Sequence, residues 1–236
     1  QEKPRILSLD ADSSEPLNHA YGTNGIITSL RIATCPAISW QEVVIDSGTL
    51  IKAVELLKSC ICSAADLYLA TLLEDEIVNQ LPNFCGESNR EHRLLFLVAP
   101  DGVDTLKRLA TKAGAKFNHL GAENLKSGAG MRELSWNHTT LHIRGKNSQW
   151  TYMQMLLPQP EFEAMRSLKD VWKNDLLWHL EAVKQQGVMR LAALPILRWR
   201  GKDSMDDFIR HSRDLGAVIF NPHVITVEEG GLGVID

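Results

Sequence analysis

The residues most suggestive of chemistry lie in the last third of the chain. His179-Leu180-Glu181 falls in an apolar stretch with the length and composition of a β-strand, where alternate side chains share a face. His179 and Glu181 then stand side by side and Leu180 turns the other way. A carboxylate beside an imidazole orients the ring and raises its basicity, so that the ring can take a proton from a hydroxyl as hydride leaves. The same spacing also suits a polar cross-strand pair on a solvated face. His223 follows another apolar run and Asn221-Pro222, ahead of Glu228-Glu229-Gly230-Gly231. A strand end opening into a glycine loop is a frequent mount for ligand-binding groups, and equally an ordinary surface turn.

Other clusters carry weaker suggestions. His138 and His142 are four residues apart, the helical spacing at which two imidazoles can share a metal, but no Glu stands between them in the HExxH manner and no third ligand is evident. No metal site is therefore expected. Arg198-Trp199-Arg200-Gly201-Lys202 is a basic, aromatic strand end that could receive a carboxylate, since the guanidinium fork suits bidentate anions, or could be a solvated loop. Cys35, Cys60, Cys62 and Cys85 lack CxxC spacing and read as reduced thiols of a cytoplasmic protein.

The elements that must position these groups follow from periodicity. Strands are predicted at 42–46, 65–73, 93–99 and 115–120, with helices from Thr49 to Cys60, from 73 to 81, and after Asp101 as cap with Gly114 as stop. The order repeats as a strand over 152–157, a helix over 161–173, strands over 176–185 and 188–198 joined at Gln185-Gln186-Gly187, a helix capped by Ser204 and stopped by Gly216, and a last strand over 217–220. Ser127 to Gly130 reads as a loop and Met131 to Arg144 as a connecting helix. The fold class is thus α+β, with two ferredoxin-like (βαββαβ) units built on antiparallel sheet. Ahead of them, Ile6 to Leu9 and the β-branched run Ile26 to Thr34 read as strands whose sheet partners are not apparent.

The turn that opens that run carries a resemblance. Tyr21-Gly22-Thr23-Asn24-Gly25-Ile26-Ile27-Thr28 resembles the glycine-rich turn, often Gly-Thr-Leu-Gly-Ile-Ile-Thr, near the end of the flavin domain of FAD-linked oxidases. These form the vanillyl-alcohol oxidase and p-cresol methylhydroxylase superfamily, which includes glycolate and D-lactate dehydrogenases. The resemblance implies that residues 21–28 pack on FAD and that residues 1–38 are the last strands of a flavin domain, a remnant segment whose N-terminal FAD-binding partner lies outside this chain. It further implies that 39–125 and 151–236 are the two ferredoxin-like halves of a cap, or substrate, domain, joined by 126–150. The opening at Gln1 without Met fits such a fragment and also a processed protein. Two departures stand out: neither the His-x-Gly-Asp-Gly-Asn-x-His run of the 2-hydroxy-acid dehydrogenases nor a pyrophosphate loop is present.

Composition narrows the function classes. A net charge of −4 over 236 residues gives no basic excess for nucleic acid, and no apolar run approaches the length of a membrane helix. The charged opening does not read as a signal peptide. The sequence is read as the cap of an FAD-dependent oxidoreductase whose full-length parent oxidises a small 2-hydroxy acid or alcohol, with His179, Glu181 and His223 as the candidate catalytic groups. FAD is expected in the parent and not on this piece alone. The alternatives are a non-catalytic ferredoxin-like module that binds a ligand or partner, and a metal-dependent hydrolase using His138, His142 and His179.

Overall fold

Strand β1 (Gln41–Ser47) buries Val43, Val44 and Ile45 in succession, and β3 (His92–Val98) buries every residue from Arg93 to Val98. Runs this continuously apolar belong to strands covered on both faces. The computed structural model to which they belong describes residues 5–14, 17, 22–82, 91–126, 130–185 and 187–220. Residues 37–219 form one compact unit, and residues 1–36 with 220–236 form another.

Between β1 and its neighbours run the connections that make a ferredoxin-like unit. Helix α2 (Leu50–Ile61) starts at Thr49, whose hydroxyl accepts from the Lys52 N–H at 3.4 Å, and buries Ala53, Val54, Leu56, Leu57 and Cys60. Strand β2 (Leu67–Leu73) and the single turn α3 (Asp75–Val78) lead to β3. Helix α4 (Val103–Ala113) is stopped by Gly114 at φ 68°, a left-handed position that glycine takes without a Cβ clash, and β4 (Lys116–Ala122) closes the unit. Pairing is antiparallel throughout, in the order β2-β3-β1-β4. Asp101 does not cap α4; it lies in a 3-10 turn over Pro100–Gly102, and Gly102 occupies the cap position.

Two segments join the halves. The expected helix over 131–144 is split: a 3-10 turn at Met131–Leu134 gives way at Ser135-Trp136 to α5 (Asn137–Lys146). The second unit then comprises β6 (Gln154–Leu156), α6 (Glu161–Trp172), β8 (His179–Gln185), β9 (Val188–Ala193), α7 (Lys202–Asp214) and β11 (Val218–Phe220). Their order in the sheet is β8-β9-β6-β11, the same as in the first unit. Gly187, at φ 81°, turns the β8–β9 hairpin, where Gln185 faces Val188. Ser204 lies inside the first turn of α7, and the cap position is Gly201.

Three expected strands of this half are each broken in two. Their outer pieces, β5 (Trp150–Tyr152), β7 (Leu176–Leu177) and β10 (Ile196–Arg198), form a separate three-stranded sheet in the order β5-β10-β7. The breaks fall where ladder hydrogen bonds are diverted. Pro195 has no N–H to give, its carbonyl takes the Met153 N–H at 3.3 Å, and the Trp178 N–H goes to Glu74 at 2.6 Å.

The two units meet at β2 and β8, with Thr71 opposite Glu181, Leu72 opposite Leu180 and Leu73 opposite His179, which completes an eight-stranded sheet. Ion pairs Lys58–Glu161 at 2.7 Å and Lys169–Glu74 at 2.6 Å tie the same two halves. One face packs Leu72, Phe96 and Leu180 with the apolar stripes of α2, α4, α6 and α7. Burying each such side chain contributes about 1.5–3 kcal/mol. The opposite face packs Val44, Leu73, Leu95 and Leu97 beneath Met131, Leu134 and Ile143. It is this second face that carries the polar groups described below.

The opening segment departs from expectation. Among its described residues the one α-helix is the short α1 (Ala11–Ser14), and neither 6–9 nor 26–34 forms a strand. Ile26, Ile27, Leu30 and Ile32 are exposed. A β-branched run becomes a strand only with a ladder partner, and none is described for this one.

Candidate active site

Alternation along β8 puts His179 and Glu181 on one face at the seam between the halves. His179 Nε2 stands 2.7 Å from Glu181 Oε1, and the two residues are 0% and 1% exposed. The pair is therefore not on a solvated face. A buried carboxylate needs donors, and Glu181 has two more. The Trp136 N–H donates to Oε1 at 2.7 Å and the Thr71 hydroxyl to Oε2 at 2.6 Å. Ser135 Oγ lies 3.1 Å from Thr71 Oγ1, so a short hydroxyl chain ends on the carboxylate. The other ring nitrogen of His179, Nδ1, is buried without a hydrogen-bond partner.

The segment lying on this face is fixed by two sheet carboxylates. Glu42 on β1 accepts from the Met131 N–H at 3.0 Å, and Glu181 on β8 accepts from the Trp136 N–H. Trp136 adopts φ 52°, an unusual conformation for a bulky residue, and that geometry aims its N–H at Glu181. This diversion is the physical reason why the expected connecting helix is interrupted.

The remaining sequence candidates fall elsewhere. His223 and Tyr21 lie outside the described residues, as do 127–129 and the acidic glycine-rich stretch after Pro222. Gly22 and Gly25 take φ +70° and +155°, with nothing within 4 Å of where a Cβ would stand. Gly22, Thr23, Asn24, Gly25, Ile26, Ile27 and Thr28 are all exposed. Such a turn can admit close approach of a flat ligand, although no pyrophosphate loop accompanies it among the described residues.

His138 pairs with the Glu133 carboxylate at 3.2 Å and His142 with the Glu133 carbonyl at 2.9 Å. No group of three His, Cys, Asp or Glu suited to a metal occurs among the described residues, so His138, His142 and His179 do not form a shared centre. Arg198 and Arg200 both reach Asp175, and the Arg200 guanidinium, followed by Arg198, holds that carboxyl below its ordinary value. Arg198 also stacks 4.7 Å over Trp150. A substrate anion would have to compete with Asp175 for this cluster.

Sequence reasoning missed Thr71, Ser135, Trp136, Glu42 and Glu74. The signal for Thr71 was present: it is the one threonine or serine in Leu67-Tyr68-Leu69-Ala70-Thr71-Leu72-Leu73, and a polar group inside a buried run must have a partner.

No family model matches the chain, and no curated protein matches it in sequence. Among solved structures, the fold is similar to that of an alkyldihydroxyacetonephosphate synthase, with TM-score 0.51 and 11% identity over 78% of this chain. A protein assigned as a glycine cleavage system transcriptional repressor matches at TM-score 0.24 and 11% identity, over 76% of this chain and 94% of its own. The chain corresponds to 41% of the synthase's length, and what the two share is a fold.

Proposed function

We propose that this chain is the cap and flavin-contacting tail of a cytoplasmic FAD-dependent oxidoreductase whose parent oxidises a small 2-hydroxy acid or alcohol. The observation that carries the reading is the eight-stranded sheet, two units of identical strand order joined at β2 and β8, with the His179–Glu181 pair buried at the join. Two independent supports agree with it. The synthase of similar fold belongs to the FAD-linked oxidase family, and the Tyr21–Thr28 turn resembles that family's flavin-contacting turn.

Bound in the parent, FAD supplies a hydride acceptor at its N5. The turn over 21–28 offers main-chain contact to the flavin, its glycines removing the side chains that would hold a ring away. In the chain's own chemistry, His179 takes the hydroxyl proton of the substrate on Nδ1 as the carbonyl forms, and the Glu181 carboxylate balances the resulting imidazolium charge through Nε2. Thr71 and Trp136 keep Glu181 in place meanwhile. Nδ1 is buried, so a substrate hydroxyl reaches it only by displacing what packs over it. His223 is a second catalytic candidate from sequence alone.

The test is to express the open reading frame extended upstream of Gln1. Yellow protein with stoichiometric FAD, bleached by a 2-hydroxy acid, supports the reading. Colourless protein that takes up no flavin rejects it. The chain alone should bind FAD weakly in a flavin titration. A ferredoxin-like binding module is the second reading, favoured by the full burial of His179 and Glu181. It expects a start codon at or next to Gln1 and no flavin at any length.

A further inference from the structure

We infer that Thr71 is a positioning residue, acting through Glu181 to hold His179 with its hydrogen on Nε2 and a bare lone pair on Nδ1. Only the use of that lone pair on a substrate rests on the flavin-enzyme reading. The argument is one of donor and acceptor supply. An ionised carboxylate has no hydrogen to give, and Glu181 faces a backbone N–H, a hydroxyl and an imidazole nitrogen, all within 2.7 Å. The backbone N–H can only donate. The hydroxyl hydrogen of Thr71 goes to Oε2, the shorter of its two contacts at 2.6 Å, which leaves the Ser135 hydroxyl, 3.1 Å from Thr71 Oγ1 and 3.4 Å from the Met131 carbonyl, to donate to one of those two oxygens. With both carboxylate oxygens accepting, the His179 Nε2 must donate as well.

The opposite arrangement is worse on two counts. A proton on Glu181 aimed at Nε2 would put the ring hydrogen on Nδ1, which is buried with no partner. An orphaned buried N–H is rarer in proteins than an under-satisfied acceptor. It would also weaken the charge-assisted bonds from Trp136 and Thr71. Removing the Thr71 hydroxyl frees Oε2 and takes away one of the three donors that keep the carboxylate purely accepting. A bare sp2 nitrogen in this place welcomes a ligand hydroxyl and offers nothing to a carbonyl or carboxylate oxygen.

Imidazole 15N spectra of the labelled full chain test this directly, with His179→Gln identifying the resonance. At neutral pH wild type and Thr71→Ser should show a protonated Nε2 and an unprotonated Nδ1. Thr71→Val should lose that single pattern to a mixture of tautomers, with backbone amide spectra otherwise retained. A protonated Nδ1 in wild type overturns the inference, as does a Thr71→Val spectrum identical to wild type. Should Thr71→Val fail to fold, wild type against Thr71→Ser still decides: loss of the pattern in Thr71→Ser overturns it, because that variant keeps the hydroxyl. Absence of flavin in the extended protein would sink the oxidoreductase reading and leave these spectra unaffected.

Discussion

The two halves of the sheet share one strand order but not one strand length. In the first, β1, β2, β3 and β4 each run for seven residues. In the second, β6 and β11 have three, and β9 and β8 have six and seven. Length lost from the ladder reappears in the side sheet of β5, β10 and β7, and one diverted backbone group, the Trp178 N–H, is met by Glu74 of the first half. The regular half is therefore the frame, and the irregular half is held against it by specific polar contacts. That division also sets where chemistry can be mounted, since His179 begins β8 immediately after the Trp178 break.

The strongest test of the contrast strikes the frame. Phe96→Ala, at a position 0% exposed in the central strand, should cost about 3–5 kcal/mol in urea unfolding. A loss below about 1 kcal/mol would show that the first half is not the frame.

Glu74→Gln comes next. It removes the charge that accepts from Lys169 and Trp178, and should cost about 2–3 kcal/mol. Hydrogen exchange should then quicken in β7 and β8 and stay slow in β1 and β3; uniform quickening would erase the distinction.

A smaller effect is confined to alkali. Burial pushes the Cys60 thiol on α2 from 9.0 up to about 12. The unfolded chain loses that proton first, so stability is intact below pH 9 and falls as pH rises from there toward 12. At pH 10 the loss is on the order of 1 kcal/mol. Cys60→Ala should flatten the slope, and a slope unchanged in that variant would clear Cys60 of responsibility.

The smallest is in acid. Burial, opposed by Asp75 and Glu74 and aided by Lys169, lowers His92 below 6.5. Below that value the unfolded chain takes up a proton that the folded ring resists, so stability declines as pH falls through 6. His92 Nδ1 accepts the Asp75 N–H at 3.2 Å, and protonation breaks that bond as well. Circular-dichroism melts at pH 7 and pH 5 should separate wild type from His92→Asn, the variant showing the shallower decline.

How much of this was open to sequence reasoning depended on range. The order of strands and helices was legible because amphipathic period and glycine stops are local, and Gly114, Gly187 and Gly216 all sit at turns or helix ends with positive φ. The adjacency of His179 and Glu181 was legible for the same reason, being two residues apart on one strand. Their surroundings were not. Thr71 is 110 residues from Glu181 in sequence, and the Glu74 contact that interrupts the strand at Trp178 spans 104. Ile26, Ile27, Leu30 and Ile32 misled because β propensity says what a segment would do beside a partner, not whether a partner is there.

The join between β2 and β8 has a consequence of its own. It is a three-rung ladder formed by the second strand of each half, so either half alone would leave that strand as an open edge. An open edge is a template, and because the two strands hold equivalent positions, a second copy of one half could dock there head to head by a two-fold rotation. The full chain is, in effect, a dimer written as a single polypeptide. Its join can diverge on one side only, which no symmetric pair of identical chains could do, and the rungs flanking Leu72–Leu180, Thr71 opposite Glu181 and Leu73 opposite His179, show that asymmetry.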